Sequence, residues 1–300
     1  MSERDTAGPP HIFDRRLYAL RRARAERLGP SGFLVAEVAA QLAERIGTVN
    51  RRFERALDLS SRDEGFERLR GAAASWTRAK LYPESDAIVA DEEALPFASE
   101  SFDLIVSVLS LHAVNDLPGT LVQIRRALKP DGLFMAALFA GDTLTELRDA
   151  FARGEGEVQG GASPRVAPFA DVRDLGGLLQ RAGFALPVSD VERTTARYRS
   201  FDVLEGDLRS LGETSALAQR RRKFLRRDVL AATLAHYSAA HGDADGRLRA
   251  TFDIAYLTAW APHESQPKPL EPGTARARLA DALGAHEHSA GDKAKPPRRG

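Results

Sequence analysis

The sequence predicts an α/β domain whose sheet is mostly parallel and covered on both faces. Three observations carry this. The runs Leu104–Val108 and Leu133–Leu138 are continuously apolar rather than alternating, as strands buried on both faces require. Between them lie a polar switch, Ser110–Asp116, and an amphipathic stretch. Strand, helix and strand therefore fit within Asp91–Asp142, the length of a right-handed crossover unit. Finally, strand and helix patterns alternate along the chain, with helices inserted before the last strand and no repeat of solenoid period.

Residues 1–10 are polar. Phe13, Leu17, Leu20 and Leu28 recur at helical spacing among many arginines and predict a first helix over 12–28, with Arg24 interrupting its stripe. Gly29-Pro30-Ser31 ends it, and Leu34, Val38, Leu42 and Ile46 mark a second helix over 33–46. FERALDL, residues 53–59, reads as the first strand and ends on Asp58-Leu59. A short helix through Phe66 and Leu69 follows, then a short strand over 71–75 and a third, DAIVA, over 86–90. Residues 101–108 and 133–138 are the fourth and fifth strands, separated by a helix and a Lys-Pro-Asp-Gly turn. Residues 141–151 form a helix. The Gly-rich stretch 153–169 is a lid over the strand ends or a linker. Asp171 caps a helix that Gly183 ends. A strand over 186–198, helices over 201–211 and 227–240, and a last strand over 251–260 complete the fold. Beyond 262, prolines and charges predict a docked arm to about 270, a short helix at 275–283 and a disordered tail.

The expected organisation is a helical extension (1–50), an α/β domain (51–262, with its helical insertion at about 200–242) and a C-terminal arm and tail (263–300). In 300 residues, 43% hydrophobic and 28% charged content is ordinary for a globular protein. A net charge of +1 gives no support for nucleic acid as partner. The chain has no cysteine, which excludes disulfides, thiolate metal sites and a cysteine nucleophile. The first residues show neither a secretory signal nor a transit peptide, and no run is long enough to span a bilayer. These features imply a cytoplasmic protein.

The segments ALDL, ADEEALPF, SFDLIVSVLSLHAVNDL, IRRALKPDGLF and LLQRAGF stand in order over residues 53–184. Together they resemble the class I S-adenosylmethionine-dependent methyltransferases, a Rossmann-like fold with a seven-stranded sheet. Outside that core, IFDRRL, GDTLTELR, GGASPRVAPFADVRDLGGLLQRAGF and HESQPKP extend the resemblance over residues 12–269. That wider match is to the family of the mitochondrial complex I assembly factor 5 and its bacterial relatives. The missing mitochondrial targeting extension favours one of the bacterial relatives, cytoplasmic or at most peripheral to the inner face of the membrane. The resemblance implies S-adenosyl-L-methionine as cofactor and a subunit of respiratory complex I as protein substrate, modified by methylation or by arginine hydroxylation. An assembly protein that keeps the fold without the cofactor is the alternative. Oligomeric state is not indicated.

In such sheets ligands bind beyond the carboxyl ends of the strands. The family's loop after the first strand is glycine-rich, so that backbone can approach the methionine part. Here it reads Asp58-Leu59-Ser60-Ser61-Arg62-Asp63-Glu64-Gly65, keeping only Asp58 and Gly65, with Ser60 between them. The acid expected at the end of the second strand, for the ribose hydroxyls, is replaced by Ser75 or Trp76. Trp76 either stacks on adenine or simply packs. Asp91 and Glu92 match the position that meets the adenine amino group, or else begin a helix. Ser110 and Leu111 follow the fourth strand. His112 is the candidate acid–base residue, with a packing role as the alternative. His241, Asp243 and His263 form the one combination suited to a metal, but sit in a polar turn, and no metal site is assigned. The run Arg220–Lys223, with Arg226 and Arg227, is either a docking surface for an acidic partner or a solvated face.

Overall fold

The computed structural model of the chain describes residues 11–267 and Gly284. Two compact units divide the chain at His263, and everything below concerns the first, Met1–His263. The expected helix at 275–283 and the tail lie outside the described residues, as does the end of the expected arm.

Two helices lead, α1 (Arg15–Leu28) and α2 (Leu34–Gly47). The first strand, β1 (Phe53–Leu59), passes through α3 (Asp63–Leu69) to β2 (Ala73–Lys80) and the two-residue β3 (Ile88–Val89). Next come β4 (Phe102–Val108), α4 (Leu117–Ala127), β5 (Leu128–Ala140), α5 (Thr145–Gln159) and α6 (Val172–Arg181). The chain closes with β6 (Ala185–Tyr198), α7 (Phe201–Leu211), α8 (Arg227–His241) and β7 (Leu248–Trp260). No described helix is long and apolar enough to cross a membrane.

The seven strands form one sheet in the order β3-β2-β1-β4-β5-β7-β6, parallel through β5 and antiparallel at β7 and β6. The fold expected from the sequence is the fold found. Leu133, Met135, Ala137 and Phe139 of β5 pack on one face with α2, α5 and α7, while Phe134, Ala136 and Leu138 pack on the other with α4 and α6. Both layers need apolar side chains, so the run cannot alternate. Edge strand β6 does alternate buried and exposed positions.

Three boundaries differ from expectation for physical reasons. Strand β2 runs five residues further than expected, to Lys80, because Arg78 and Lys80 bury their charges in ion pairs that a hydropathy reading cannot anticipate. The Lys-Pro-Asp-Gly turn is drawn into β5, and the extra residues appear as a register shift against β4 between Phe102 and Leu104. Helix α5 continues through Gly154 and Gly156 to Gln159, since Gly154 is where Thr233 of α8 comes closest: a Cβ there would lie 2.6 Å from the Thr233 nitrogen. The glycine-rich stretch is thus half helix.

The first helix buries Tyr18, Arg22 and Ala25, whereas Leu20 and Leu28 are exposed. The apolar stripe read from the sequence is not the face that packs. A buried arginine is invisible to hydrophobic periodicity, and its partners account for its position.

Candidate functional site

The strand order reverses between β1, which neighbours β2, and β4, which neighbours β5. The crevice at that switch point is where doubly wound sheets take ligands. Two non-glycine residues leave it in left-handed backbone, Ser60 after β1 (φ 63°) and Leu109 after β4 (φ 50°). Such conformations cost on the order of 1–3 kcal/mol each and persist only where neighbours hold them. Here the Ser60 and Leu109 N–H groups donate to the carbonyls of Ala79 and Ala137, at 2.8 and 2.7 Å. The carbonyls of Ser60 and Leu109 themselves converge on one guanidinium. Arg22 donates through Nη2 to Ser60 at 2.9 Å and through Nη1 to Leu109 at 3.2 Å. It also reaches the Leu211 carbonyl and Glu213, each at 3.3 Å. Burial works against its charge, but Tyr18 and Glu213 outweigh that and hold its pKa above the ordinary arginine value.

The sequence-selected residues lie around this guanidinium, and most are already engaged. The Asp58 carboxylate accepts from the Ser61 N–H at 3.3 Å and from Arg78 Nε at 3.2 Å. Burial still lifts its pKa to about 6. Gly65 faces α2, where an added Cβ would come within 3.1 Å of Val35 Cγ1, so it serves helix packing. Ser75 and Trp76 fall in the middle of β2, opposite Arg55 and Ala56, rather than at its carboxyl end. Ser75 donates to the Glu54 carbonyl at 2.6 Å; Trp76 donates to the Arg70 carbonyl at 3.0 Å and packs edge-on against Phe66. The longer β2 thus moves the expected ribose position to the fully buried Lys80, whose ammonium lies among Asp63, Glu84 and Glu26 at 2.7, 2.5 and 3.2 Å. Those three acids are the one metal-like cluster among the described residues, and Lys80 supplies its cation. Asp91 and Glu92 both pair with Arg15, Asp91 at 2.8 Å, and Glu92 also accepts from Ser110 at 2.5 Å. Leu111 is buried in the core. His241 pairs with Asp149, and Asp243 with Arg197 and Arg249, so the two do not converge.

Beyond the ends of β4 and β5 the geometry is different. A cavity of about 310 Å³ opens there, walled by Phe13, Phe139, Phe169, Phe252 and Leu208. His112 lines it and packs edge-on against Phe139, ring centroids 4.8 Å apart. Its Nε2 lies 2.9 Å from Glu213. Burial pushes the Glu213 pKa up, but His112, Arg22 and Tyr18 more than reverse this and keep it below the usual glutamate value. A carboxylate only accepts, so Nε2 carries a proton, and in the neutral ring Nδ1 is left as a lone pair. That Nδ1 is buried and has no partner. The arrangement can accept one hydrogen bond from a guest held between aromatic rings.

A methyltransferase-domain family model matches residues 54–136. The YcgJ protein from Bacillus subtilis superposes with a TM-score of 0.52 over 75% of this chain and 98% of its own, at 13% identity, which speaks to the fold alone. Over nearly the whole chain the likeness is closer. The zebrafish (Danio rerio) protein named mitochondrial arginine-hydroxylase NDUFAF5 is 37% identical over 287 residues, 90% of this chain and 89% of that protein. The chain belongs to the arginine-hydroxylase NDUFAF5 family. Its human member is 39% identical over 281 residues, covering 88% and 81% of the two chains.

Within this NDUFAF5-family chain, Arg15, Tyr18, Arg22, Lys80 and Glu213 are the site residues that sequence reasoning missed. Tyr18 and Arg22 stand four apart on one face of α1, a pairing that could have flagged a buried arginine. Glu213 follows α7 with no local signal; only the fold brings it to His112.

The methyltransferase fold implies S-adenosyl-L-methionine, and the crevice can be tested for it. Arg22 stands where the methionine part was expected, Lys80 where an acid was expected for the ribose, and the acids expected to meet adenine are bonded to Arg15. With these side chains engaged to one another, the crevice as it stands does not fit the cofactor.

Proposed function

We propose that this chain acts in the assembly of respiratory complex I, taking an arginine-bearing segment of one of its subunits into the aromatic cavity. The observation that carries the reading is the unpartnered, buried Nδ1 of His112 beside the Glu213 carboxylate, within walls of phenylalanine. A guanidinium offers N–H donors in a plane, stacks on aromatic faces and prefers acidic surroundings. The cavity meets each demand. Glu205 and Glu213 both line it, and its one cationic wall residue, Arg165, is neutralised by Glu155 at 2.9 Å. Roles follow for the chain's own groups: His112 accepts from the arginine, Glu213 fixes the ring, and the phenylalanines exclude water.

Hydroxylation is the outcome the relatives' name supports, and methylation the one the fold supports. S-adenosyl-L-methionine would supply an electrophilic methyl group, but the crevice does not fit it and no step is drawn through it. That same crevice favours a second reading, an assembly factor that binds the subunit without modifying it. Mass analysis of complex I subunits from a deletion strain separates them. Loss of a hydroxyl or methyl group from one arginine supports a modifying enzyme. Unchanged subunits in a poorly assembled complex support binding alone, and normal assembly with unchanged subunits overturns both.

A further inference from the structure

We infer that α1 is a built-in occupant of the cofactor crevice and that this chain does not bind S-adenosyl-L-methionine. The inference begins with geometry. Arg22 bridges the Ser60 and Leu109 carbonyls, the two backbone points that flank the switch between β1 and β4. Any ligand lying across that switch must displace it. Displacement would strip four acceptors at once, Ser60, Leu109, Leu211 and Glu213, inside a region closed to water. Arg15, seven residues earlier on the same helix, binds Asp91, Glu92 and the Ala113 carbonyl, the last at 3.0 Å. One helix therefore occupies two of the three places the cofactor would use.

Charge points the same way. A sulfonium ligand would meet the guanidiniums of Arg22 and Arg15 and the ammonium of Lys80, all buried or nearly so. The acids that could receive a sulfonium, Asp91, Glu92, Glu213, Glu26, Asp63 and Glu84, are already engaged by these cations. The glycines that would admit a ligand have also been lost. Arg62, in the loop after β1, turns inward and donates to the Gly29 carbonyl at 2.8 Å at the end of α1. It clamps the helix in place from the other side.

The occupant has a second consequence, which reaches the cavity. Phe13, just before α1, and Tyr18 within it form part of the cavity wall, and the Tyr18 hydroxyl donates to Glu213 at 3.0 Å. Arg22 contacts the same carboxylate. By filling the crevice, α1 also positions the acid that orients His112. Tyr18 and Arg22 are thus positioning residues for the cavity.

The test is titration calorimetry and thermal melting of the full chain with S-adenosylmethionine and with S-adenosylhomocysteine, each at about 1 mM. A site with Kd near 10 μM would raise Tm by about 5 °C or more. The expected result is no saturable heat and an unchanged, cooperative melt with either compound. Saturable heat or a rise in Tm with either one overturns the inference. The uncharged-sulfur homocysteine compound separates the two supports: binding of it alone would show that charge excludes the cofactor while the space remains, and would overturn occupation by α1. None of these outcomes bears on whether a subunit loses a modification in a deletion strain, so the substrate proposal stands or falls separately.

Discussion

Replacing Arg22 by methionine tests the packing of the crevice most severely. The side chain keeps comparable length but donates nothing. Four contacts go, to the carbonyls of Ser60, Leu109 and Leu211 and to Glu213. Each buried acceptor left unpaired costs about 1–3 kcal/mol, but these losses are not additive around one guanidinium. Glu213 retains His112 and Tyr18, which limits its share. Breaking one member of a buried ionic group costs about 3–5 kcal/mol, and about 4 kcal/mol is expected here. Lysine at this position should recover less than half, since its single nitrogen cannot span acceptors that Arg22 meets with two. The assay is urea unfolding at neutral pH, with the exposed Arg24→Met as control on the same helix, expected within about 0.5 kcal/mol of the parent. A loss below about 1 kcal/mol for Arg22→Met, indistinguishable from the control, would refute the crevice network.

Asp58 gives a pH signature. Its folded pKa of about 6 lies above the ordinary 3.8, so between about pH 4 and 6 the folded state holds the extra proton and stability falls as pH rises. The drop is at most about 3 kcal/mol, and Asp58→Asn should flatten it; equal slopes in both proteins, from urea midpoints across that range, would count against the assignment. Acids with lowered values, such as Glu213 and Asp253, act from the lower end of this window downward, from about pH 4.5 and 3.8, where stability falls as pH falls. Gly154→Ala should cost about 2–3 kcal/mol, because its Cβ would strike the Thr233 backbone, while Gly156→Ala, with open space, should gain up to about 1 kcal/mol; thermal melts showing the two equal would contradict the close approach of α5 and α8. Glu213→Gln keeps the shape of the pair with His112 but removes the charge that sets its tautomer. Nitrogen-15 spectra of the imidazole should then show Nδ1 gaining a proton in part of the population, and an unchanged tautomer would rule out Glu213 as the orienting group.

How much of this was legible beforehand follows from what each signal encodes. The sheet was readable because a strand covered on both faces leaves a continuous apolar run, as Leu133–Leu138 does. The cavity's His112 was reachable because it follows a strand end, where such folds place ligands. The absence of glycines after Asp58 is visible in the sequence, but what fills the crevice is not. Loss of glycines after Asp58 says that the old backbone approach is gone; it does not say that Arg22, some forty residues earlier, has moved in. Charged residues that bury themselves in pairs defeat hydropathy twice over here. Arg78 and Lys80 concealed the true end of β2, and with it the expected ribose position, while Arg22 concealed the packed face of α1. Glu213 depends wholly on tertiary structure, since nothing near LGETS distinguishes it from a helix end.

The central claim is that α1 fills the crevice and leaves the aromatic cavity as the working site. Crystals of the full chain grown with millimolar S-adenosylhomocysteine test it most directly. The account predicts the Arg22 guanidinium between the Ser60 and Leu109 carbonyls, with α1 in place and no adenosyl group bound. Electron density for the nucleoside at that switch point, with Arg22 displaced, would contradict it.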